Sequence, residues 1–272
     1  MERQDPWQAA GLGLLAKWDF HPYSSTCQGF VLGDFMYLFK DEISRSGFFL
    51  FDKKWIEDMH WASLPTAAKA VFPVIASYRN NKTGIAFPDQ QTISALSGRT
   101  EKNVRKGIKG LDNLPGFYKK QYKTKRGKYS YKYAIPSPPK EKGRAFPFHG
   151  CIMHGGNWRE LSPSSQTLYP VMRHFGWFDL DMYCEIENIE VDPVDFMFQY
   201  SSREFEFCDA SLDIMAEHAG LTRRSVYSAF SNLEEHNLIK RIESNIWQVY
   251  LIPDTWYKRK FLNKKILRIV RA

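Results

Sequence analysis

The strongest constraint on the fold of this chain is an internal repeat. Residues 47–75 align without a gap on residues 144–172 at a constant shift of 97, and residues 98–111 align on residues 220–233 at a shift of 122. The matched positions include Phe49 and Phe146, Phe51 and Phe148, Trp61 and Trp158, Leu64 and Leu161, Phe72 and Tyr169, Pro73 and Pro170, Val74 and Val171, Gly98 and Gly220, and Thr100 and Thr222. A repeat of this length indicates one supersecondary unit used twice. The sequence therefore predicts two modules of the same fold.

The first copy has the local signals of a winged helix. Apolar residues recur at helical spacing ahead of a short strand, and two further helices follow. Asp89 and Thr100 are placed to cap these two helices, and Gly98 supplies the turn between them. Two strand-like segments, 117–122 and 129–135, then form a hairpin. Helix, strand, helix, turn, helix and hairpin together predict a winged helix.

The second copy repeats this order, with Asp209 and Thr222 as predicted caps and Gly220 in the turn. The expected fold class is α+β, with two tandem winged-helix domains, each a helix-turn-helix followed by a β-hairpin wing. The predicted boundaries are an N-terminal extension at 1–46, a first, strongly basic winged-helix domain at 47–135, a linker at 136–143, a second winged-helix domain at 144–253 with an acidic insertion at 176–203, and a basic C-terminal tail at 254–272.

Charge is distributed unevenly along the chain, whose formal net charge is +8. Residues 97–133 hold 12 basic residues against two acidic ones, a net of +10, whereas residues 179–206 hold nine acidic residues against one basic residue, a net of −8. Residues 256–272 add seven basic residues and no acidic one. A basic excess that coincides with a helix-turn-helix pattern indicates a polyanionic ligand, and nucleic acid is the commonest one. Double-stranded DNA is therefore the expected partner.

The third helix of the first module is the leading candidate site, because the N-terminal residues of such a helix reach base edges in the major groove. Lys102, Asn103 and Lys106 are predicted to contact bases, and Arg99, Arg105 and Lys109 to contact phosphates. The wing is predicted to contact phosphates or an adjacent minor groove. The predicted DNA-binding residues of this module are Arg99, Thr100, Lys102, Asn103, Arg105, Lys106, Lys109, Lys123, Lys125, Arg126 and Lys128.

The second module leaves two roles open. Residues 207–241 hold five acidic and four basic residues, so the module has almost no net charge there. Its third helix nevertheless begins with polar groups suited to DNA, and these predicted contact residues are Thr222, Arg223, Arg224, Ser225, Tyr227 and Ser228. The module is expected either to read a second DNA site or to serve dimerisation or the docking of another partner.

Enzymatic chemistry has little support in the sequence. Asp179 and Asp181, two apart on an apparent strand, would point the same way and could hold a metal for a primase or nuclease. His149, Cys151 and His154 form an incomplete set of zinc ligands. A nucleotide-binding loop, a nucleophile elbow and an H-E-x-x-H motif are all missing from the sequence. We expect no catalytic residue, no metal and no cofactor.

The sequence also predicts the compartment. No run approaches the 18 or more apolar residues of a membrane span, and the N-terminus lacks the basic-then-apolar order of a secretory signal. The four cysteines are scattered without framework spacing, which favours reduced thiols over disulfides. A cytoplasmic, nucleoid-associated protein without membrane contact is expected.

Three motifs in residues 64–135 are Leu64-Pro65-x3-Lys69-Ala70-Val71-Phe72, Phe87-Pro88-x4-Ile93 and Gly98-x-Thr100-x3-Val104. They resemble the winged-helix domain of plasmid and phage replication initiators, and the pairing with residues 161–253 resembles iteron-binding plasmid initiators. The resemblance covers about two thirds of the chain. It implies binding to repeated origin DNA, dimerisation through one module, here the second, and recruitment of host replication proteins.

The function predicted from the sequence is sequence-specific binding of double-stranded DNA by a non-enzymatic protein, a replication initiator of a plasmid or another mobile element. A winged-helix transcriptional regulator would use the same DNA contacts and is the first alternative. A nucleic-acid enzyme using Asp179 and Asp181 is the second.

Overall fold

The computed structural model describes residues 47–123, 127, 129–136, 143–187 and 205–252. The predicted N-terminal extension and basic tail lie outside the described residues, as do most of the predicted linker and the end of the acidic insertion. The boundaries assigned to these segments stay predictions.

The first half of the described chain contains four strands and five α-helices. They are β1 (Phe48–Asp52), α1 (Lys54–Glu57), α2 (His60–Ser63), α3 (Thr66–Ser77), β2 (Ile85–Ala86), α4 (Gln90–Ser97), α5 (Glu101–Gly110), β3 (Tyr118–Lys123) and β4 (Tyr129–Ala134). A 3-10 turn, Leu111–Asn113, follows α5.

The second half has the same order of elements, with one additional helix, α9. Its elements are β5 (Ala145–His149), α6 (Cys151–His154), α7 (Asn157–Glu160), α8 (Pro163–His174), α9 (Leu180–Glu187), β6 (Phe205–Cys208), α10 (Leu212–Ala219), α11 (Arg223–Glu235), β7 (Ile239–Arg241) and β8 (Trp247–Tyr250). The order of the three strands is also the same in each half: the sheets run β2-β4-β3 and β6-β8-β7.

Local capping explains where the helices of each half begin. The carboxylate of Asp89 accepts a hydrogen bond from the backbone N–H of Thr92 at 2.7 Å and so caps α4. Thr100 caps α5 and Thr222 caps α11, as predicted. The predicted cap on α10 is wrong, because Ser211 rather than Asp209 accepts the capping hydrogen bond.

The two halves join along strands β1 and β5, which pair antiparallel. At the centre of this ladder Leu50 lies opposite Pro147, and these two residues are equivalent under the shift of 97. Phe49 pairs with Phe148 and Phe51 with Phe146 around that centre. Each strand therefore contacts its own counterpart about a local twofold relation.

Hydrogen bonds between the helices of the two halves are reciprocal in the same way. The indole N–H of Trp61 donates to the backbone oxygen of Thr167 at 3.0 Å, and the indole N–H of Trp158 donates to that of Ala70 at 2.9 Å. Trp158 is the counterpart of Trp61 under the shift of 97, and Ala70 is the counterpart of Thr167. The two bonds are therefore equivalent. All four groups are buried, so these bonds fix the relative position of α3 and α8.

A second reciprocal pair links each helix-turn-helix turn to the opposite half. The ammonium group of Lys69 donates to the backbone oxygen of Ala219 at 2.8 Å, and the amide of Gln166 donates to that of Ser97 at 3.0 Å. Burial lowers the pKa of Lys69 to about 8. Since an unpaired buried ammonium would be costly, its acceptor on the opposite half, the backbone oxygen of Ala219, helps to hold the halves together.

Acidification is expected to destabilise this fold through His174, at the end of α8. Burial, together with the charge of Lys53 and the nearby His218, lowers the pKa of His174 to about 4. An unfolded histidine binds its proton near pH 6.5, so the free energy of unfolding should fall as the pH drops from that value towards 4. Urea titrations at about pH 7 and about pH 4.5 should show a smaller acid-dependent loss for His174→Gln than for the wild type. An equal loss of unfolding free energy in both proteins would show that protonation of His174 does not cause the acid destabilisation.

Candidate nucleic-acid interface

The third helix of the first half, α5, is held by its apolar side. Val104 and Ile108 are buried in the core, and the helix packs closely on α3. Gly107 permits that approach, because a Cβ at this position would lie 2.5 Å from the backbone oxygen of Ala67. The opposite side of α5 is therefore fixed in place and faces solvent.

That solvent-facing side carries a continuous row of cations, here called the α5 stripe: Lys102, Arg105, Lys106 and Lys109. The spacing i, i+3, i+4 and i+7 places the four side chains on one face of the helix. All four are exposed, and within the part of the chain that the structure describes none of them forms an ion pair. Four uncompensated charges on one helix face make a strong electrostatic site for a polyanion.

The start of α5 is polar and compact. Thr100 accepts the backbone N–H of Asn103 at 3.4 Å, so its hydroxyl serves the helix cap. The side chain of Asn103 is exposed and lies beside the α5 stripe. The predicted contact of Asn103 with a base stays a prediction.

Arg99 lies apart from the other predicted contacts. Its guanidinium is half-buried and donates a hydrogen bond to the side-chain oxygen of Gln166, in the second half. Burial lowers the pKa of Arg99. The structure therefore gives this residue a role in joining the halves, whereas the sequence predicted a phosphate contact.

The first wing is described only in part. Lys123 is exposed at the end of β3, and Gly127 in the connection has a positive φ of 76°. Lys125, Arg126 and Lys128 lie outside the described side chains. The predicted contacts of this wing with phosphates stay predictions.

The corresponding helix of the second half, α11, presents a different surface. Arg223 forms a bidentate ion pair with Asp213 at the exposed surface. Thr222 and Ser225 serve the cap, their hydroxyls lying 2.9 Å apart. The predicted contact residues whose side chains remain exposed without such a bond are Arg224, Tyr227 and Ser228.

The β7–β8 hairpin of the second half, which the sequence predicts to be a second wing, uses its arginine for internal contacts. The guanidinium of Arg241 donates to the backbone oxygens of Glu243 and Ser244, at 3.2 and 2.7 Å, and lies over the ring of Trp247. These hydrogen bonds hold together the turn between β7 and β8. The second half consequently offers polar and aromatic groups in place of the row of cations on the first.

The residues proposed for metal chemistry do not assemble into a site. Asp179 accepts the backbone N–H of Met182 at 2.9 Å at the start of α9, and Asp181 lies within that helix, so the predicted strand with both carboxylates on one side is wrong. Across the described ranges, no group of three or more His, Cys, Asp and Glu residues could hold a metal ion. His149, Cys151 and His154 are included in that finding.

Sequence reasoning missed one exposed surface of the first half. Phe87 and Tyr118 are large exposed residues, and Tyr122 and Lys132 lie near them. The available signal was the spacing of Tyr118, Lys120 and Tyr122, which places two aromatic residues and one basic residue on the same face of a strand.

Comparison with known proteins identifies one domain. Residues 62–113, which run from α2 through α5, match the family model of a helix-turn-helix domain. No curated protein and no solved structure matches the chain. Within the described residues, no helix is both long and apolar enough to cross a membrane. The chain is thus an α+β protein with a helix-turn-helix domain, a module whose usual partner is DNA.

Proposed function

We propose that the chain is a tandem winged-helix protein that binds double-stranded DNA in a sequence-specific manner and initiates replication of a plasmid or another mobile element. The α5 stripe is the observation that carries the DNA-binding part of the proposal. It lies on the third helix of the matched helix-turn-helix domain, on the face opposite the core. No catalytic step of the chain's own is part of the proposal.

The reciprocal contacts between the halves support the tandem arrangement. Many helix-turn-helix proteins dimerise to place two recognition helices on successive half-sites. Here two similar units already face each other about a local twofold relation within one chain, centred on Leu50 and Pro147. We infer that one chain spans two half-sites, or that α11 contributes to a homodimer while α5 binds DNA.

The two halves are proposed to divide the work of recognition. The α5 stripe supplies most of the electrostatic affinity, which depends little on sequence. Exposed Asn103 and, on α11, Arg224, Tyr227 and Ser228 supply contacts that depend on the bases. Strong attraction from one helix and selective contacts from both would combine to locate a particular site.

Selection of bound duplexes from a random DNA pool tests the proposal. We expect an enriched motif with two unequal half-sites at a fixed spacing, the better defined of which depends on α5. A single half-site bound by a dimer would assign α11 to dimerisation. Failure to enrich any motif, with all duplexes bound equally, would contradict sequence-specific recognition.

Substitution of Asn103 gives a sharper test of base reading. Asn103→Ala should weaken binding of the selected duplex by about 1–3 kcal/mol, because a bidentate amide contact to a base is lost. Binding to random duplex should change little. The matched control is Asn113→Ala, which removes an exposed side-chain amide from the 3-10 turn after α5. Equal losses on selected and random duplexes would show that Asn103 does not read a base.

The replication role rests on the resemblance of residues 64–135 to plasmid and phage initiators. A circular DNA without its own origin, carrying this gene and its flanking DNA, should be maintained in a suitable host if the chain is an initiator. Neutralisation of the α5 stripe should abolish that maintenance. Repression of an adjacent promoter without maintenance would instead assign the chain to transcriptional regulation.

A further inference from the structure

The sheet β2-β4-β3 of the first half has one covered face and one open face. Lys119 pairs with Tyr133 across β3 and β4, and Tyr133 is fully buried. The ammonium group of Lys119 also reaches the backbone oxygen of Ile108 on α5, at 3.3 Å. Since side chains alternate along a strand, Tyr118, Lys120 and Tyr122 lie on the opposite face, away from α5.

This open face, here called the wing face, contains three aromatic and two basic residues: Phe87, Tyr118, Lys120, Tyr122 and Lys132. Tyr118 is 63% exposed and Phe87 is 53% exposed, although large aromatic side chains are usually well buried. The ring of Phe87 meets that of Tyr122 edge-on, with 6.3 Å between the ring centroids. The ammonium group of Lys132 lies 5.7 Å from the centre of the Tyr122 ring.

The two lysines of the wing face are direct cross-strand partners. Lys120 lies opposite Lys132 in the register of β3 and β4. Like charges placed opposite each other destabilise a sheet, and among the described residues neither lysine forms an ion pair. Neither strand contains an acidic residue. An anion between these two lysines would relieve the repulsion.

The aromatic residues supply the other half of a recognition surface. Tyr118 and Tyr122 are four residues apart on one strand, which separates them by about 13 Å, with Lys120 between them. Exposed rings alternating with cations are the arrangement on which unpaired bases stack while the backbone phosphates are neutralised. In a duplex the bases are already stacked on one another, so the rings would have no base face to meet.

We propose that the wing face binds single-stranded nucleic acid, with bases stacked on Tyr118 and on the Phe87–Tyr122 pair and a phosphate between Lys120 and Lys132. This site is separate from the α5 stripe, because it lies on the face of the sheet turned away from α5. The chain could then hold one strand of an opened duplex while α5 stays on paired DNA.

Fluorescence anisotropy with the full chain tests the proposal. The probes are labelled oligomers of about 20 thymidines or about 20 uridines, since the wing face recognises the chemistry that single strands of DNA and RNA share.

Tyr118→Ala and Phe87→Ala should each weaken oligomer binding about tenfold, whereas Tyr118→Phe should retain it. Combined Lys120→Ala and Lys132→Ala substitutions should lower the salt slope by about 0.7 units, since a single strand contributes about 0.7 for each neutralised phosphate and the two lysines share one phosphate. The affinities of the two probes show whether the wing face prefers single-stranded DNA or single-stranded RNA.

The controls separate this site from the duplex site. Phe48→Ala removes a ring that is similarly exposed, at 54%, but lies on β1, and it should leave oligomer binding unchanged. The wing-face variants should bind selected duplex as the wild type does, and their urea midpoints should show that they are folded. Absence of oligomer binding, unchanged binding by Tyr118→Ala and Phe87→Ala, or an equal loss in Phe48→Ala would overturn the proposal. Loss of duplex binding on substitution of the α5 stripe is a separate result and tests the proposed function.

Discussion

Duplex DNA should bind about a thousandfold more weakly, at physiological salt, to a variant in which all four residues of the α5 stripe are alanine. Each cation that neutralises a phosphate releases about 0.9 of a counterion. The slope of log affinity against log salt should therefore become shallower by about 1.8 units for the predicted phosphate contacts Arg105 and Lys109, and by about 3.6 units if Lys102 and Lys106 also neutralise phosphates. All four side chains are exposed and without ion pairs among the described residues, so their charges are available to DNA. A salt titration of duplex binding measures both quantities.

The fold should survive these four substitutions. Alanine has the highest helix propensity, and the stripe contributes no buried side chain. Lys54→Ala with Lys82→Ala is a matched control, because both lysines are exposed but lie outside α5. An unchanged salt slope in the stripe variant would show that affinity does not depend on α5. An equal loss of duplex affinity per removed charge in the control would show the same.

The three longest helices of the first half and their counterparts in the second could be predicted because their signals are local, whereas the short helices before them and α9 were not. Asp89, Thr100 and Thr222 each accept a backbone N–H within three residues of their own position. Gly98 and Gly220 adopt the left-handed conformation that ends a helix. Such signals need no knowledge of the tertiary structure, and the helix-turn-helix match at 62–113 agrees with them.

Contacts between distant residues could not be predicted from the same signals. Arg99 belongs to the basic run in sequence, but Gln166, 67 positions away, accepts its hydrogen bond. Asp209 looks like a helix cap, yet its carboxylate accepts from the indole of Trp177 while Ser211 caps the helix. Local spacing cannot show which polar groups will meet a partner across the fold.

The same limit explains why the wing face was missed. Strand alternation shows that Tyr118 and Tyr122 share one side and that Tyr131 and Tyr133 share the other. It does not show which side the core covers. Only the burial of Tyr133 and the exposure of Tyr118 settle which tyrosines are available to a ligand.

Gly98→Ala and Gly220→Ala should each lower the free energy of unfolding by about 2–5 kcal/mol. Both glycines have positive φ, 69° and 62°, a conformation that costs an L-residue about 1–2 kcal/mol. In addition, a Cβ at Gly98 would overlap the backbone oxygen of Arg159, and one at Gly220 would overlap that of Ala62. Overpacking of this kind costs about 1–3 kcal/mol more, because backbone atoms cannot move aside as a side chain can.

Gly156→Ala isolates the contribution of the contact between halves. Gly156 also has a positive φ, 88°, but a Cβ there would meet only the Arg159 side chain at an ordinary 3.7 Å. Its cost should therefore stay near the 1–2 kcal/mol of backbone strain alone. Urea unfolding followed by fluorescence of the buried tryptophans at the junction gives the three values.

Because Arg159 and Ala62 are equivalent under the shift of 97, the losses of unfolding free energy at Gly98 and Gly220 should be similar, and both substitutions should shift one shared unfolding transition. Two separate transitions, with each glycine affecting only one, would mean that the halves fold independently and that their reciprocal contacts add little stability.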